Sequence, residues 1–213
     1  MAVNKMWTSI EVMQDAPVIP VIVLNDVAHA VPMARALVAG GLRMLEITLR
    51  TRVALDCMRA IAAEVPEAVV GAGTIRSVAD ARAAKDAGAV FGVSPGYTSS
   101  IGKGCQDIGL PLLPGVATSS EIMMANEDGY SELKFFPAMQ AGGPNLLKAW
   151  AGVFSDVKFC PTGGVNLENA PTLLALPNVA VVGGTWLTPQ SLMEKGDWAA
   201  ITQMAKEAAA LQR

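Results

Sequence analysis

Short apolar runs alternate strictly with helical stretches, eight times over, and this constrains the chain more than any other feature of its sequence. The runs are VIPVIVL (18–24), LRMLEITL (42–49), AVVGAGT (68–74), AVFGVSPG (89–96), LPLLPG (110–115), ELKFFPA (132–138), VKFCPTGG (157–164) and NVAVVGGTW (178–186). Each has strand length and is rich in β-branched, aromatic or small turn residues. Between them lie stretches such as VALDCMRAIAAEV and VADARAAKDAG, with apolar residues at helical spacing and glycine stops such as Gly40-Gly41. Strands that alternate one for one with helices run parallel, because each helix carries the chain back to the same end of the sheet. Eight such units in 213 residues fit a compact closed barrel. An open doubly wound sheet would need a glycine-rich turn after the first strand, and that turn reads LNDVAHA. The expected fold is therefore α/β: a (β/α)8 TIM barrel, one domain over residues 1–213. Residues 1–15 form an extra N-terminal helix capping the barrel bottom, and a last helix covers about 197–211.

Composition narrows the function. Apolar residues make up 52% of the chain and charged ones 16%, enough for a sizeable core and too apolar for a disordered chain. The net charge is −3 with no basic run, so neither nucleic acid nor an anionic membrane is an expected partner. Cys57, Cys105 and Cys160 are odd in number and scattered, which reads as reduced thiols without metal-ligand spacing. The N-terminus has no signal-peptide pattern, and PVIPVIVL is too short to span a bilayer, so a soluble cytoplasmic protein is expected. His29, the only histidine, falls on the first helix and reads as surface. Trp150, Trp186 and Trp198 fall on or near helix starts and read as packing, and Met123-Met124 as core.

In a barrel of this kind, functional groups gather at the C-terminal ends of the strands. Those ends read TLR, GAGT, SPG, LPG, FFPA, PTGG and GGTW, crowded with Gly, Pro and hydroxyl residues. Along 42–50 the side chains alternate: Leu45, Ile47 and Leu49 face the helices, while Glu46, Thr48 and Arg50 point into the barrel. Glu46 and Arg50 read either as a mutual salt bridge locking the barrel or as an acid/base beside an anion clamp. By the same alternation Lys134 points inward between Leu133 and Phe135. Apolar surroundings strip an ammonium of solvation and favour the neutral amine, a nucleophile toward carbonyl carbon. The other reading is a lysine that snorkels outward or pairs with Glu46. Lys158, at the start of its strand, is far from the catalytic end. Thr162-Gly163-Gly164 and Gly183-Gly184-Thr185 close the last two strands, where such barrels often hold phosphate on backbone N–H groups. No metal or cofactor is called for: the one inward carboxylate near the mouth is Glu46, and a lysine imine would supply the electron sink.

VLNDVAHAVPMARALVAGGLRMLEITLRT, VGAGT, SPG, LPG, SSEIMM, KFFPA, FCPTGGVN and VGGTWL together resemble the family of 2-keto-3-deoxy-6-phosphogluconate (KDPG) aldolases and 4-hydroxy-2-oxoglutarate aldolases, over about residues 17–205. The resemblance implies a homotrimer of barrels and a class I, Schiff-base, pyruvate-forming aldolase acting on a small phosphorylated keto acid. It implies Lys134 as the imine lysine and Glu46 as the general acid/base. Arg50 and Thr74 would hold the substrate carboxylate, and Pro95, Phe136 and Thr162 would line the pyruvate pocket. Gly163, Gly164, Gly184 and Thr185 would bind phosphate. Two positions depart from the family pattern: Thr185 where many relatives have serine, and Met139 where many have glutamate. Competing readings are a phosphogalactonate aldolase of the same type, a phosphate-binding barrel isomerase with Glu46 as base, and a non-catalytic oligomeric scaffold. A scaffold gives no reason for three inward charges.

Overall fold

The computed structural model describes residues 6–212. The parallel strands are β1 (Val18–Ile22), β2 (Met44–Thr48), β3 (Val69–Gly73), β4 (Phe91–Val93), β5 (Leu112–Leu113), β6 (Gly115–Val116), β7 (Glu132–Phe135), β8 (Lys158–Pro161) and β9 (Val182–Gly184). One sheet runs β5-β4-β3-β2-β1-β9 and a second β6-β7-β8. Parallel bridges Phe159↔Val179 and Thr162↔Gly183 join β8 to β9. β5 and β6 are halves of one barrel strand, interrupted at Pro114, which has no N–H to continue the ladder. The Pro114 carbonyl still accepts the Lys134 N–H at 2.9 Å. With that strand counted once, the ring has eight members and is closed. The run expected over 110–115 is thus a broken strand.

Helices α1 (Ser9–Gln14), α2 (Ala30–Ala39), α3 (Ala54–Glu64), α4 (Val78–Asp86), α5 (Ser99–Asp107), α6 (Ser119–Glu127), α7 (Gly143–Ala151), α8 (Ala170–Leu174), α9 (Gln190–Lys195) and α10 (Trp198–Ala209) complete the chain. Local chemistry sets their limits. Thr8 and Thr118 each form a capping box with the glutamate three residues on, satisfying backbone N–H groups that a helix start leaves unpaired. α9 was not expected from the sequence. It is short, and Gly196 ends it in the left-handed conformation at φ 66°. The N-terminal helix is shorter than the 1–15 expected from the sequence, and residues 1–5 of that stretch lie outside the described residues.

Alternation sorts the core into two layers. Leu45, Ile47, Val70, Ala72, Leu133, Phe135, Phe159 and Val182 pack outward against the helices. Ile19, Met44, Val69, Phe91, Val93, Leu113, Cys160 and Val181 form a separate cluster inside the barrel, and Val12 and Met13 of α1 join it. α1 therefore plugs the bottom of the barrel, tied to β5 by the Ser9 hydroxyl donating to the Leu112 carbonyl at 3.2 Å.

Several packing expectations change. Met123 and Met124 are exposed on α6, 57% and 48%, because α6 turns only Ile122 and Ala125 inward. Trp150 sits near the end of α7 rather than its start. It is buried between Phe135 and Phe159, with centroids 5.2 and 5.4 Å away, and donates to Ser119 Oγ at 3.1 Å. His29 closes a 3-10 turn (Val27–His29) and is half-buried edge-on against Trp198. No helix among the described residues is long and apolar enough to cross a membrane.

Candidate active site

Glu46 on β2 and Lys134 on β7 sit on opposite sides of the eight-membered ring, and their side chains meet in its centre. Nζ of Lys134 donates to Oε1 of Glu46 at 3.3 Å. Both are buried, the residues being 3% and 2% exposed. Lys134 reaches inward because β7 places it between outward-facing Leu133 and Phe135. The sequence left open an inward nucleophile, a snorkelling lysine and a pair with Glu46. The side chain points inward and is paired.

A buried ion pair recovers in Coulomb attraction only part of what desolvation costs, and deleting one partner typically costs about 3–5 kcal/mol. A scaffold has better ways to fill its centre. The groups around the pair are soft and compact. The Phe136 ring lies with its centroid 5.3 Å from Nζ, close enough for a cation–π contact. Cys160 is the register partner of Lys134 on β8, and its side chain also points inward. Burial pushes its thiol up to about 12, with Lys134 pulling down and Glu46 pushing up, so it stays protonated. Cys160 was missed as a member of this site. The alternation 158-160-162 along KFCPT would have found it, since it shares a face with Thr162.

Thr162 is buried at the end of β8, with Oγ1 donating to the Cys160 carbonyl at 3.4 Å and lying 3.8 Å from the Cys160 sulfur. The chain from Phe136, through a cis bond to Pro137, bends over this end. Ala138 and Met139 donate their N–H groups to the carbonyls of Thr162 and Gly163 at 2.7 and 3.1 Å. Gly163 and Gly164 hold φ of 99° and 73°, a conformation that side chains resist, and Asn169 Nδ2 donates to the Gly164 carbonyl at 2.9 Å. A carbon built on Gly164 would lie 3.0 Å from Cγ of Met139, so this side chain packs directly on the double-glycine turn. Gly184 is buried at the end of β9 and Thr185, next to it, is exposed. The two turns are adjacent, because Thr162 and Gly183 are bridge partners.

Arg50 differs from expectation. It lies past the end of β2, exposed, and its Nε donates to Thr74 Oγ1 at 3.2 Å. It does not pair with Glu46, since the strand has ended and the chain turns at Leu49-Arg50. Thr74 is the one non-glycine residue with positive φ, 63°, among the described residues. For a β-branched residue this conformation costs roughly 1–3 kcal/mol, and such strain clusters at functional sites. Pro95 sits half-buried after β4, its carbonyl pressed against Gly115, where a carbon on that glycine would lie 2.6 Å from the oxygen. Lys158 points away from this centre and donates to the Pro177 carbonyl at 2.9 Å. A cleft of about 600 Å3 opens at the opposite end of the barrel, lined by Trp7, Lys85, Val90, Gln106 and Glu132. It does not touch the Lys134–Glu46 pair, and the converging charged groups outweigh its size as a guide to chemistry.

The family model described as KDPG and KHG aldolase matches residues 9–204. A KHG/KDPG aldolase of Escherichia coli K12 is 50% identical over 206 residues, covering 96% of this chain and 97% of that one. A KDPG aldolase from Legionella pneumophila, solved with pyruvate captured as a covalent carbinolamine, superposes with a TM-score of 0.94 at 43% identity, covering 96% of this chain and 99% of that one. A second, from Zymomonas mobilis ZM4 with 3-phosphoglycerate, gives 0.93 at 47% identity over 98% of both chains. The chain belongs to the KDPG and KHG aldolase family.

Proposed function

We propose that this member of the family cleaves 2-keto-3-deoxy-6-phosphogluconate to pyruvate and glyceraldehyde 3-phosphate, and that it also accepts 4-hydroxy-2-oxoglutarate. One observation carries the reading: a lysine and a carboxylate, both nearly free of solvent contact, meet 3.3 Å apart at the centre of the barrel. In the Legionella relative pyruvate is held covalently as a carbinolamine. The matching chemistry here uses Lys134. Its ammonium first gives up a proton to Glu46 or to water. The amine then attacks the C2 ketone of the substrate, and that proton leaves with the C2 oxygen as water, giving a protonated imine. The imine accepts the electron pair of the C3–C4 bond as Glu46 removes the C4 hydroxyl proton, directly or through a water. Glyceraldehyde 3-phosphate leaves. Glu46, now protonated, returns a proton to C3 of the enamine, and hydrolysis of the imine frees pyruvate. One carboxylate serves both proton transfers because it changes protonation state between them.

Arg50 and Thr74 hold the C1 carboxylate in this reading. The bond from Arg50 Nε to Thr74 Oγ1 fixes the guanidinium plane and leaves its two Nη groups to grip a carboxylate. Phe136, Pro95 and Thr162 line the pyruvate end. The turns at Gly163, Gly164, Gly184 and Thr185 take the phosphate, supported by the positive-φ glycines after β8. The reading extends to a homotrimer in the cytoplasm, working in the Entner–Doudoroff breakdown of sugar acids. The family likeness and the exposed apolar side chains Met123, Met124 and Val153 support self-association.

Steady-state kinetics on KDPG, its galacto epimer and 4-hydroxy-2-oxoglutarate test this, with light scattering for the assembly. The expected result is the highest kcat/KM for KDPG, weaker cleavage of 4-hydroxy-2-oxoglutarate, and a mass three times that of the chain. Preference for the galacto epimer, or no pyruvate released from any of the three, would overturn it.

A further inference from the structure

We infer that Gly73 is a positioning residue for the reaction: the hydrogen in place of a side chain there is what lets the carboxylate of Glu46 lean into the barrel centre. The inference rests on the assignment of Glu46 as acid/base above. Gly73 ends β3, pairs in register with Thr48, and is buried. Its φ is not positive, so the backbone does not itself require glycine. What requires it is space. A carbon built on Gly73 would lie 2.7 Å from Cγ and 2.9 Å from Cδ of Glu46, and closer still to Oε1, the oxygen that faces Lys134. All three of the nearest atoms belong to that one side chain. Such distances are below contact for carbon, so the carboxylate would have to move as a unit.

Gly71, two residues earlier on the same face, provides the contrast. Its three nearest atoms all belong to the Phe91 ring in the apolar interior. One strand thus carries two inward glycines with different duties: Gly71 admits a ring to the core, and Gly73 admits a carboxylate to the site. A methyl group at Gly73 displaces Glu46 on the order of an ångström. Displacement of that size in a reacting group costs about 10²-fold in rate. It leaves in place the groups that bind the substrate ends, and Lys134 stays free to form the imine although its bond to Glu46 Oε1 is disturbed.

A double-mutant cycle between Gly73→Ala and Glu46→Ala tests this. Four readouts are taken on each variant: kcat and KM for KDPG cleavage, incorporation of solvent deuterium into the methyl group of pyruvate, borohydride trapping of pyruvate, and Tm. Expected for Gly73→Ala alone are a kcat lower by about 10²-fold, a parallel loss of deuterium exchange, an almost unchanged KM, retained trapping, and a lowered Tm. In the Glu46→Ala chain the space is vacant, so adding Gly73→Ala should lower neither Tm nor residual exchange further. The double variant should fold even where the single one does not. Natural kcat in Gly73→Ala would overturn the inference. So would an equal loss of Tm in both backgrounds, since the glycine would then serve the strand and not the carboxylate. Full turnover by Glu46→Ala alone would instead overturn the acid/base assignment itself, and is distinguishable because it appears without any change at Gly73.

Discussion

The two ends of the barrel interior are built from the same strands and by opposite rules. The lower end is filled by Ile19, Met44, Val69, Phe91, Leu113 and Val181 and sealed by Val12 and Met13. Every one of these side chains is apolar, and each contributes to stability by leaving water, about 25 cal/mol per Å2 buried. Above them on β2, β3 and β7 stand Glu46, Gly73 and Lys134. There the strands offer a charged pair and a vacancy where a side chain would be. The lower end stabilises; the upper end is maintained at a cost that the lower end offsets. Their separation along each strand is only one or two inward positions, so the division is drawn residue by residue.

The sharpest way to break the contrast is to make the upper end resemble the lower. Lys134→Met should lower turnover by at least about 10⁴-fold, as loss of a covalent nucleophile does. Adding Glu46→Leu removes the stranded carboxylate. The double variant should be inactive and yet at least as stable as the natural chain, by ~1–4 kcal/mol if the cavity repacks. Urea unfolding checks this; a double variant less stable than the natural chain would mean that the pair holds the barrel together.

The converse change attacks the lower end. Phe91→Ala should cost about 3–5 kcal/mol of stability. Borohydride trapping of pyruvate on the folded fraction at low temperature should persist, because the ring lies in the plug rather than at the pair. Loss of trapping in protein that is still folded would mean the two ends are not separable.

A smaller effect is expected outside the barrel, where Tyr97 donates to Asp128 at 2.5 Å and stands edge-on to Tyr130. Burial first, and then Asp128, raise the Tyr97 phenol above its ordinary value near 10. A raised acid of this kind contributes stability that is complete below its unfolded value and is lost as pH climbs past it. Unfolding free energy should therefore decline above about pH 10. Tyr97→Phe should flatten that decline while costing about 1–2 kcal/mol at neutral pH. Activity per folded molecule should not change. An unaltered alkaline slope would remove Tyr97 as its source.

Much of this was legible in the sequence for a definite reason. The period-two alternation along LEITL and ELKFF fixes which side chains enter a barrel, so Glu46 and Lys134 could be placed on inward faces before any coordinates. Side-chain reach was not legible. Nothing in the order of residues says that Lys134 spans the ring to Glu46, or that Arg50, past the strand end, bonds Thr74 instead. Vacancies were equally hidden: Gly73 reads as a turn residue in GAGT, and only the carboxylate over it gives it a role. Met123-Met124 misled because an apolar pair on a helix reads as core whichever way the helix turns it. The break at Pro114 and the short helix α9 lie where runs are too brief for periodicity to speak.

The central claim is that the amine at the barrel centre bonds covalently to a keto acid. Incubation with pyruvate and borohydride, followed by proteolysis and mass mapping, tests it most directly. The account predicts a single reduced pyruvate adduct on the peptide carrying Lys134, absent when pyruvate or borohydride is left out. An adduct on Lys158, or turnover that continues undiminished with no lysine modified, would contradict it.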